Sequence, residues 1–181
     1  MDIPIKTWSH HNTTGSLAAV IEDILERSNR EYLKNIFTPF SSHEHRLEFV
    51  AKIKKVAYIN DSKATNVHAT WYALESIPAH IIWIAGGVNT NQCYEKLKTL
   101  AEKKVKALIL LGNNNQLIKT SLGTAVPRLF ETYSMKSAVQ LAYSLAEAGD
   151  TVLLSPACPS FDLFLNYKER GKAFKKCVLE L

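Results

Sequence analysis

Strand-length apolar runs separated by longer amphipathic patterns constrain the fold of this chain more than any other feature. The clearest runs are "VAYIN", "HIIWIA", "VKALILL" and "TVLLS", with stretches of helical spacing between them. Strands that are apolar throughout are buried on both faces, as in a mainly parallel sheet covered by helices. The pattern therefore predicts an α/β fold with a Rossmann-like, doubly wound sheet.

The predicted elements alternate regularly after about residue 45. The strands "RLEFV" and "VAYIN" are joined by the polar "AKIKK", and a weaker strand lies around "RLFETY". Helices are predicted over "NVHATWYALES", "NQCYEKLKTLAEK", "NNQLIKTSLG", "MKSAVQLAYSLAEAG" and the tail "FDLFLNYKERGKAFKKCVLEL". This alternation is typical of βαβ units.

The first forty residues form a separate segment in this interpretation. Helical spacing predicts a helix over about 16–28, and the capping-box spacing of Ser28 and Glu31 predicts a second, short helix. The stretch "FTPFSSHEH" then interrupts the apolar patterns with a proline and two serines. We therefore expect a short helical segment at 1–40 and a Rossmann-like domain at 41–181.

Composition excludes several classes of function. Hydrophobic residues make up 46% of the 181 residues and charged residues 22%, as in a globular protein. The apolar runs are far shorter than the roughly 20 residues of a membrane span, so no membrane association is expected. The net charge is +5, but Lys and Arg form no basic block, so nucleic acid is not an expected partner. Three scattered cysteines favour a cytoplasmic protein.

Polar or small residues follow each predicted parallel strand, where the ligand crevice of a doubly wound sheet lies. The loops are "NDSKATN", "GGVNTN", "GNNNQ" and "SPACPSFD". The six histidines lack the spacing of a closed metal site, so no metal ligand is assigned. No P-loop pattern occurs, so any main triphosphate cradle is expected outside this chain.

In "NDSKATN", helix capping and anion binding are both compatible with the residues. Asp61 and Ser62 fit a turn, and Thr65 or Asn66 fits the N-cap of the next helix. Capping does not explain Lys63, because a cation is mildly unfavourable near the positive end of a helix macrodipole. A bound phosphate or carboxylate would reverse that effect, so the pattern favours an anion site.

The loop "SPACPSFD" places Cys158 and Ser160 after the last predicted strand. A nucleophile needs an activating base, and no histidine lies near this loop in the sequence. We therefore expect the Ser160 hydroxyl and the loop backbone to line a substrate site. The paired Gly86 and Gly87 after "IIWIA" predict a tight turn between a strand and a helix.

Several of these stretches together resemble one family. The segments "SHEHRLEFV", "YINDSKATNVHATWYALES", "IAGG", "VKALILLG" and "LLSPACPSFDLFLNYKERGKAFK" are similar to the C-terminal domain of the D-glutamate-adding Mur ligases. Upstream, "HHNTTGSLAAV" resembles the helix that ends the central, ATP-binding domain of that family. The resemblance implies a fragment that lacks the N-terminal domain and nearly all of the central domain, and that is inactive alone.

The resemblance implies an ATP-dependent acid–D-amino-acid ligase of peptidoglycan synthesis. ATP, with Mg²⁺ bound mainly by the missing central domain, would phosphorylate UDP-N-acetylmuramoyl-L-alanine, and the amine of D-glutamate would attack the acyl phosphate. The resemblance implies nucleotide contacts for Asn12, Arg46 and Asp61, and a catalytic role near the phosphoryl groups for Lys63. The implied substrate-binding residues are Thr65, Ser160, Phe161 and Tyr167.

Two positions depart from the family pattern. Thr90 stands where the family has a lysine that binds a D-glutamate carboxylate, and Gly15 replaces an asparagine of the upstream motif. Loss of that cation predicts binding weaker by about 1.5–3 kcal/mol, unless Lys96 or Lys119 compensates. The alternatives are a related ligase that uses a different amino acid, or a non-catalytic nucleotide- or anion-binding module.

Overall fold

A six-stranded sheet organises residues 44–78 and 80–181, the part of the chain that the computed structural model describes. The predicted helix over about 16–28, the short helix after it and Asn12 lie outside the described residues. The strands are β1 Glu48–Ile53, β2 Val56–Asn60, β3 Ile81–Ala85, β4 Val105–Leu111, β5 Leu129–Thr132 and β6 Thr151–Leu154. The helices are α1 Val67–Ser76, α2 Lys98–Lys104, α3 Gln116–Leu122, α4 Met135–Leu145 and α5 Tyr167–Leu179, with a 3₁₀ helix at Tyr94–Leu97.

The strand order β1-β2-β6-β3-β4-β5 confirms the predicted doubly wound sheet. Strands β2 to β6 pair in parallel, and β1 pairs antiparallel with β2 at one edge. Ile82 and Ile84 belong to the core cluster under α4 and α5, so the alternation of β3 turns the buried Trp83 to the opposite face. Since β6 lies between β2 and β3, the chain changes direction there, and the ligand crevice of such sheets lies at this point.

The first hairpin differs from the prediction. Strand β1 begins at Glu48 rather than at Arg46 and continues to Ile53, so part of the expected polar connection is strand. Lys54 and Lys55 form the turn with φ angles of 49° and 65°. Positive φ at both central residues is the conformation of a type I′ hairpin turn, in which Asn and Gly are usual. The two lysines therefore gave no turn signal.

Two predicted helices start later than expected. The helix predicted over 91–103 begins as a 3₁₀ helix and becomes α-helical only at Lys98. The C-terminal helix starts at Tyr167 instead of Phe161, because the side chain of Asn166 caps it by accepting a backbone N–H at 3.0 Å. The residues before this cap remain a loop beside the crevice.

In the part of the chain that the structure describes, we find no helix with the length and apolarity that a membrane crossing requires.

His45 and Asn60 attach the start of the described domain to α5. The side-chain amide of Asn60 donates to Nδ1 of His45 and to the carboxylate of Glu48, each at 3.0 Å. Because Nδ1 accepts a hydrogen bond, the imidazole is neutral, and burial lowers the pKa of His45. The ring lies against Gly171 of α5, where a Cβ atom would collide with the imidazole.

The Gly171→Ala variant tests this contact. We expect the free energy of unfolding to fall by about 1–3 kcal/mol, because the new methyl group overpacks the buried ring. Urea denaturation monitored by circular dichroism measures the change. Lys168→Ala, at an exposed position of the same helix, is the control and should shift stability by less than about 0.5 kcal/mol. Equal stability of the two variants would contradict this account.

Candidate functional site

A cavity beside the carboxyl end of β2 brings Arg46 together with Asp61 and Lys63, the two candidate residues of "NDSKATN". Its volume is about 360 Å³, within the range of about 300–1,000 Å³ that is typical of ligand sites. The remaining lining residues are Leu47, Ala64, Ala69, Tyr72, Ala73 and Ser76. The cavity thus combines two cationic side chains and one carboxyl group with a wall that is mostly apolar.

Asp61 is a buried carboxyl group in the wall of this cavity, with only 4% of its surface exposed. Its Oδ1 accepts the N–H of Leu47 at 3.2 Å, and its Oδ2 accepts the hydroxyl of Ser155 at 2.9 Å. Burial raises the pKa of Asp61 to about 7, against the opposing effects of these hydrogen bonds and of the Arg46 charge. Near neutral pH the group exists as both acid and anion, and either form can hydrogen-bond a ligand hydroxyl.

Lys63 is exposed at the rim, and its main chain is held in place. Its N–H donates to the carbonyl of His45 at 3.0 Å, and its own carbonyl accepts the N–H of Thr65 at 2.9 Å. Within residues 44–78 and 80–181, the ammonium group of Lys63 forms no ion pair. A cation presented from a fixed backbone beside a cavity is suited to an anionic ligand group.

The N-terminus of α1 is bound by the protein's own side chains. Asn66 is the N-cap and accepts the N–H of Ala69 at 2.9 Å, which settles the choice that the sequence left open. Gln92 accepts the N–H of Val67 at 2.7 Å. Two of the backbone N–H groups that an anion at a helix N-terminus would use are therefore already occupied. An anion site at this position depends on Lys63 more than on the helix terminus.

Gln92 also joins Thr90 to the loop after β6. Its Nε2 donates to Oγ1 of Thr90 at 2.6 Å and to the carbonyl of Ala157 at 3.3 Å. Together with the bond to Val67, this amide connects three segments at the carboxyl edge of the sheet. The position at which the family resemblance implies a lysine is therefore part of a neutral hydrogen-bond network.

The two lysines considered as replacements differ in their surroundings. Lys119 pairs with Glu131 at 2.7 Å, so its charge is already balanced. Lys96 lines a second cavity of about 310 Å³ together with Val67, His68 and Trp71. Because Val67 is bonded to Gln92, this second cavity lies on the side of α1 that faces the Thr90 network. Lys96 is therefore the better placed of the two.

The guanidinium of Arg170 connects the loop after β2 to the loop after β6 through hydrogen bonds. It is 2% exposed, and its Nε and Nη2 donate to Oγ and the carbonyl of Ser62 at 3.0 and 2.9 Å. Its Nη1 donates to the carbonyl of Cys158 at 2.9 Å. Burial lowers the pKa of Arg170 to about 10, which leaves it cationic at neutral pH. Among the residues described, no carboxylate forms an ion pair with it.

The predicted substrate residues lie along these fastened loops and do not line the 360 Å³ cavity. Ser160 is buried and Phe161 is 71% exposed. The carbonyl of Tyr167 accepts the hydroxyl of Ser62 at 2.8 Å, so the start of α5 is joined to the same loop as Lys63. Thr65 follows Lys63 in that loop and is half-buried. Two groups of candidate residues therefore lie at this edge of the sheet. Arg46, Asp61 and Lys63 line the cavity, whereas the four predicted substrate residues lie outside it.

Cys158 has the environment of a structural thiol. Its side chain is buried, Sγ lies 3.1 Å from the hydroxyl of Tyr94, and burial raises the pKa of the thiol. A thiol with a raised pKa is a poor nucleophile. These properties argue against Cys158 as a nucleophile, and the expected substrate role of the loop stays a prediction.

Sequence reasoning missed three residues that organise this edge, Ser155, Gln92 and Arg170. Arg170 lies within "NYKERG", so the family resemblance pointed to its segment without giving it a role. Ser155 directly follows the apolar run of β6, which is the usual position of a crevice residue. Gln92 carried no local signal, because two of its three partners, Val67 and Ala157, are distant in the chain.

The fold and the site define a class of protein, namely doubly wound α/β domains that hold a ligand outside the carboxyl ends of parallel strands. Within that class, residues 45–158 match the family described as "Mur ligase, glutamate ligase domain". The match covers more than half of the chain. The chain therefore belongs to the Mur ligase family through this glutamate ligase domain.

Relatives with a common name support the match. A protein named "UDP-N-acetylmuramoylalanine--D-glutamate ligase" from Christiangramia forsetii is 49% identical and is aligned over 94% of this chain and 38% of its own length. Proteins of the same name from Porphyromonas gingivalis and Chloroherpeton thalassium are 46% and 40% identical. The chain spans 37% and 36% of their lengths. It therefore corresponds to less than two fifths of these relatives.

A solved structure shows the same fold. The bifunctional folylpolyglutamate synthase/dihydrofolate synthase from Yersinia pestis superposes with a TM-score of 0.53 over 78% of this chain and 32% of its own length. Sequence identity is 15%, so this similarity concerns the fold alone.

The Asp61→Asn variant tests the titration of the buried carboxyl group. The folded pKa of about 7 lies above the ordinary value of 3.8, so Asp61 stabilises the fold at low pH and loses that contribution as the pH rises from about 4 to 7. We expect the stability of the wild type relative to Asp61→Asn to fall across this window, by at most about 1.4 kcal/mol per pH unit. Above pH 7 the difference should level off.

Urea denaturation at half-unit pH intervals measures this difference. Glu102→Gln, which removes an exposed carboxylate from α2, is the matched control. If the difference in free energy of unfolding between wild type and Asp61→Asn stays constant from pH 4 to 7, the pKa of Asp61 is not raised in the folded protein.

The Arg170→Lys variant tests the connection between the two loops. Lysine keeps the charge but lacks the planar array of donors that reaches Ser62 and Cys158 at once. We expect the free energy of unfolding to fall by about 1.5–3 kcal/mol, the contribution of a hydrogen bond from a charged group. Urea denaturation measures it, with Lys172→Arg on the exposed face of α5 as the control. Unchanged stability of Arg170→Lys would show that these bonds contribute little.

Proposed function

We propose that this chain is the C-terminal part of an ATP-dependent, amide-forming ligase that adds D-glutamate to UDP-N-acetylmuramoyl-L-alanine in cytoplasmic peptidoglycan synthesis. The observation that carries the proposal is the convergence of Arg46, Asp61 and Lys63 on one cavity. These residue types suit a nucleotide, which offers ribose hydroxyls to a carboxyl group and phosphates to cations. The name shared by relatives at 40–49% identity supports the same reaction.

The reaction explains why a fixed cation is needed. A carboxylate resists attack by an amine until a phosphoryl group converts one oxygen into a leaving group. The transfer of that phosphoryl group from ATP builds charge on its oxygens, and positioned cations stabilise this charge. Lys63 supplies such a cation from a fixed backbone, Arg46 supplies a second, and Asp61 holds the ribose. The triphosphate cradle and the UDP-sugar site belong to the other domains of the longer polypeptide.

Mg²⁺ would neutralise part of the phosphate charge when bound with ATP. Among residues 44–78 and 80–181, no group of three or more His, Cys, Asp or Glu side chains could hold a metal ion. We therefore assign its ligands to the central domain and derive no step from it here.

The amino-acid side of the reaction is assigned to the loops that Arg170 fastens. Thr65, Ser160 and Phe161 lie on these loops, and Tyr167 is the first residue of α5. The Arg170 charge is buried and is held by neutral oxygens, so it adds a positive potential to this edge of the sheet. Such a potential favours a substrate that carries carboxylates, as D-glutamate does.

A related ligase with a different amino acid is the second candidate, and the neutral Thr90 network favours it. Gln92 holds Thr90 in a set of uncharged hydrogen bonds, where a cation would favour a second carboxylate. Lys96, beside this network, could supply the missing charge. The two candidates therefore differ in whether Lys96 contributes to binding of the amino acid.

A substrate comparison on the full-length polypeptide distinguishes the two candidates. With ATP, Mg²⁺ and UDP-N-acetylmuramoyl-L-alanine, we expect phosphate release to depend on D-glutamate and not on L-glutamate or a diamino acid. Lys96→Ala should then raise the KM for D-glutamate by about tenfold, as for the loss of one charge-assisted hydrogen bond. Turnover with another amino acid and none with D-glutamate would establish the second candidate.

The Lys63→Ala variant tests the phosphoryl contact. We expect kcat to fall by at least about a hundredfold, as when one group that stabilises transition-state charge is removed. The melting temperature should change little, because the exposed side chain makes no ion pair among the described residues. Lys136→Ala, at an exposed position of α4, is the matched control. A fully active Lys63→Ala enzyme, or one that fails to fold, would contradict the assignment.

A further inference from the structure

Asp162, in the loop after β6, is a carboxylate with few partners. The residue is half-buried and directly follows Phe161. The N–H of Asn113 donates to its Oδ2 at 3.4 Å, which is long for a hydrogen bond. Within residues 44–78 and 80–181, the carboxylate accepts this hydrogen bond alone and forms no ion pair. Because an ionised carboxylate can accept about four hydrogen bonds, most of the capacity of Asp162 is unused.

Two glycines allow the loop after β6 to lie close against the ends of β3 and β4. Gly112 directly follows β4, and a Cβ atom there would collide with the carboxylate of Asp162. Gly87 follows β3, and a Cβ atom there would collide with the carbonyl of Pro159 and lie 3.3 Å from Nη1 of Arg170. Glycine permits such close approach because it has no side chain. Asp162 and Arg170 therefore lie beside the ends of two neighbouring strands.

The charges of Asp162 and Arg170 act on each other without forming an ion pair. Burial lowers the pKa of Arg170, and the negative charge of Asp162 opposes this shift. The guanidinium donates its hydrogen bonds to Ser62 and Cys158, so it leaves the carboxylate of Asp162 available. The carboxyl edge of the sheet thus offers a positive and a negative group that do not neutralise each other by direct contact.

An amino-acid substrate requires both kinds of group. Near neutral pH its amino group is an ammonium, while its carboxyl groups are ionised. The proposed function gives the carboxylates a positive potential at Arg170, but it gives the ammonium no partner. A carboxylate is a strong partner for an ammonium, because hydrogen bonds between charged groups are short and strong. Asp162 is adjacent in the chain to Phe161 and two residues from Ser160, both of which are assigned to the amino-acid side.

We propose that Asp162 binds the ammonium group of the amino-acid substrate and so holds the nitrogen that later attacks the acyl phosphate. Arg170 attracts the carboxylates, and Asp162 selects for the amino group. The inference rests on the proposed function, because it takes the ligand of these loops to be an amino acid. A purely structural role would be to connect the loop after β6 to Asn113, and a neutral amide oxygen could accept that N–H as well.

Steady-state kinetics of the full-length polypeptide with ATP, Mg²⁺ and UDP-N-acetylmuramoyl-L-alanine test this assignment. Phosphate release gives the KM for D-glutamate and the inhibition constant of glutarate, which has the same two carboxylates but no amino group. Loss of a charged hydrogen bond predicts that Asp162→Asn raises the KM for D-glutamate by about 10- to 100-fold and the inhibition constant of glutarate by less than about twofold. Glu102→Gln, which removes an exposed carboxylate from α2, is the matched control and should change neither.

The outcomes separate this inference from the proposed function. An active ligase in which Asp162→Asn leaves the KM for D-glutamate unchanged, or raises both constants equally, would overturn the role of Asp162 and leave the ligase assignment intact. A wild type that binds glutarate as tightly as D-glutamate would also overturn it, whether or not the variant folds. If another amino acid is the substrate, that amino acid and its analogue without the amino group give the same test. Absence of turnover with every amino acid would contradict the proposed function, and this inference with it.

Discussion

The buried guanidinium of Arg170 is the interaction on which the crevice depends. Removing a charge from water is costly, and this one is held by three neutral oxygens instead of a carboxylate. Its bonds reach Ser62 in the loop after β2 and Cys158 in the loop after β6, two neighbouring strands in the sheet. Because Ser62 lies between Asp61 and Lys63, the position of both candidate residues follows from this contact.

The same contact relates the two proposed halves of the site. The nucleotide-facing group lies on the β2 loop and on α1, whereas the substrate-facing group lies mostly after β6. Parallel strands bring their carboxyl ends to one edge, but they do not set the distance between the loops that leave that edge. Arg170 sets this distance through short hydrogen bonds at 2.9–3.0 Å. A carboxylate paired with Arg170 would occupy guanidinium N–H groups that now hydrogen-bond the two loops.

Much of the fold could be predicted because burial determines it. The runs "VAYIN", "HIIWIA" and "VKALILL" each contain a single polar residue and are otherwise apolar, as central strands of a covered sheet are. The two strands of the first hairpin were predicted, but the position of its turn at Lys54 and Lys55 could not be, since neither residue prefers positive φ and the pairing of β1 with β2 imposes it. The same distinction applies to the candidate site. Asp61 and Lys63 could be predicted because they directly follow a strand, whereas the role of Gln92 could not, because it depends on Val67 and Ala157, which are distant in the sequence.

The two edges of the sheet bear on how the protein behaves at high concentration. A long, flat edge strand offers unpaired backbone groups to other chains and promotes aggregation. Here β5 has four residues, and the register of β1 shifts between Phe49 and Ala51. Such an irregularity bends an edge strand and interrupts the row of hydrogen-bonding groups. An otherwise strongly apolar sheet is thereby prevented from extending into a neighbouring molecule.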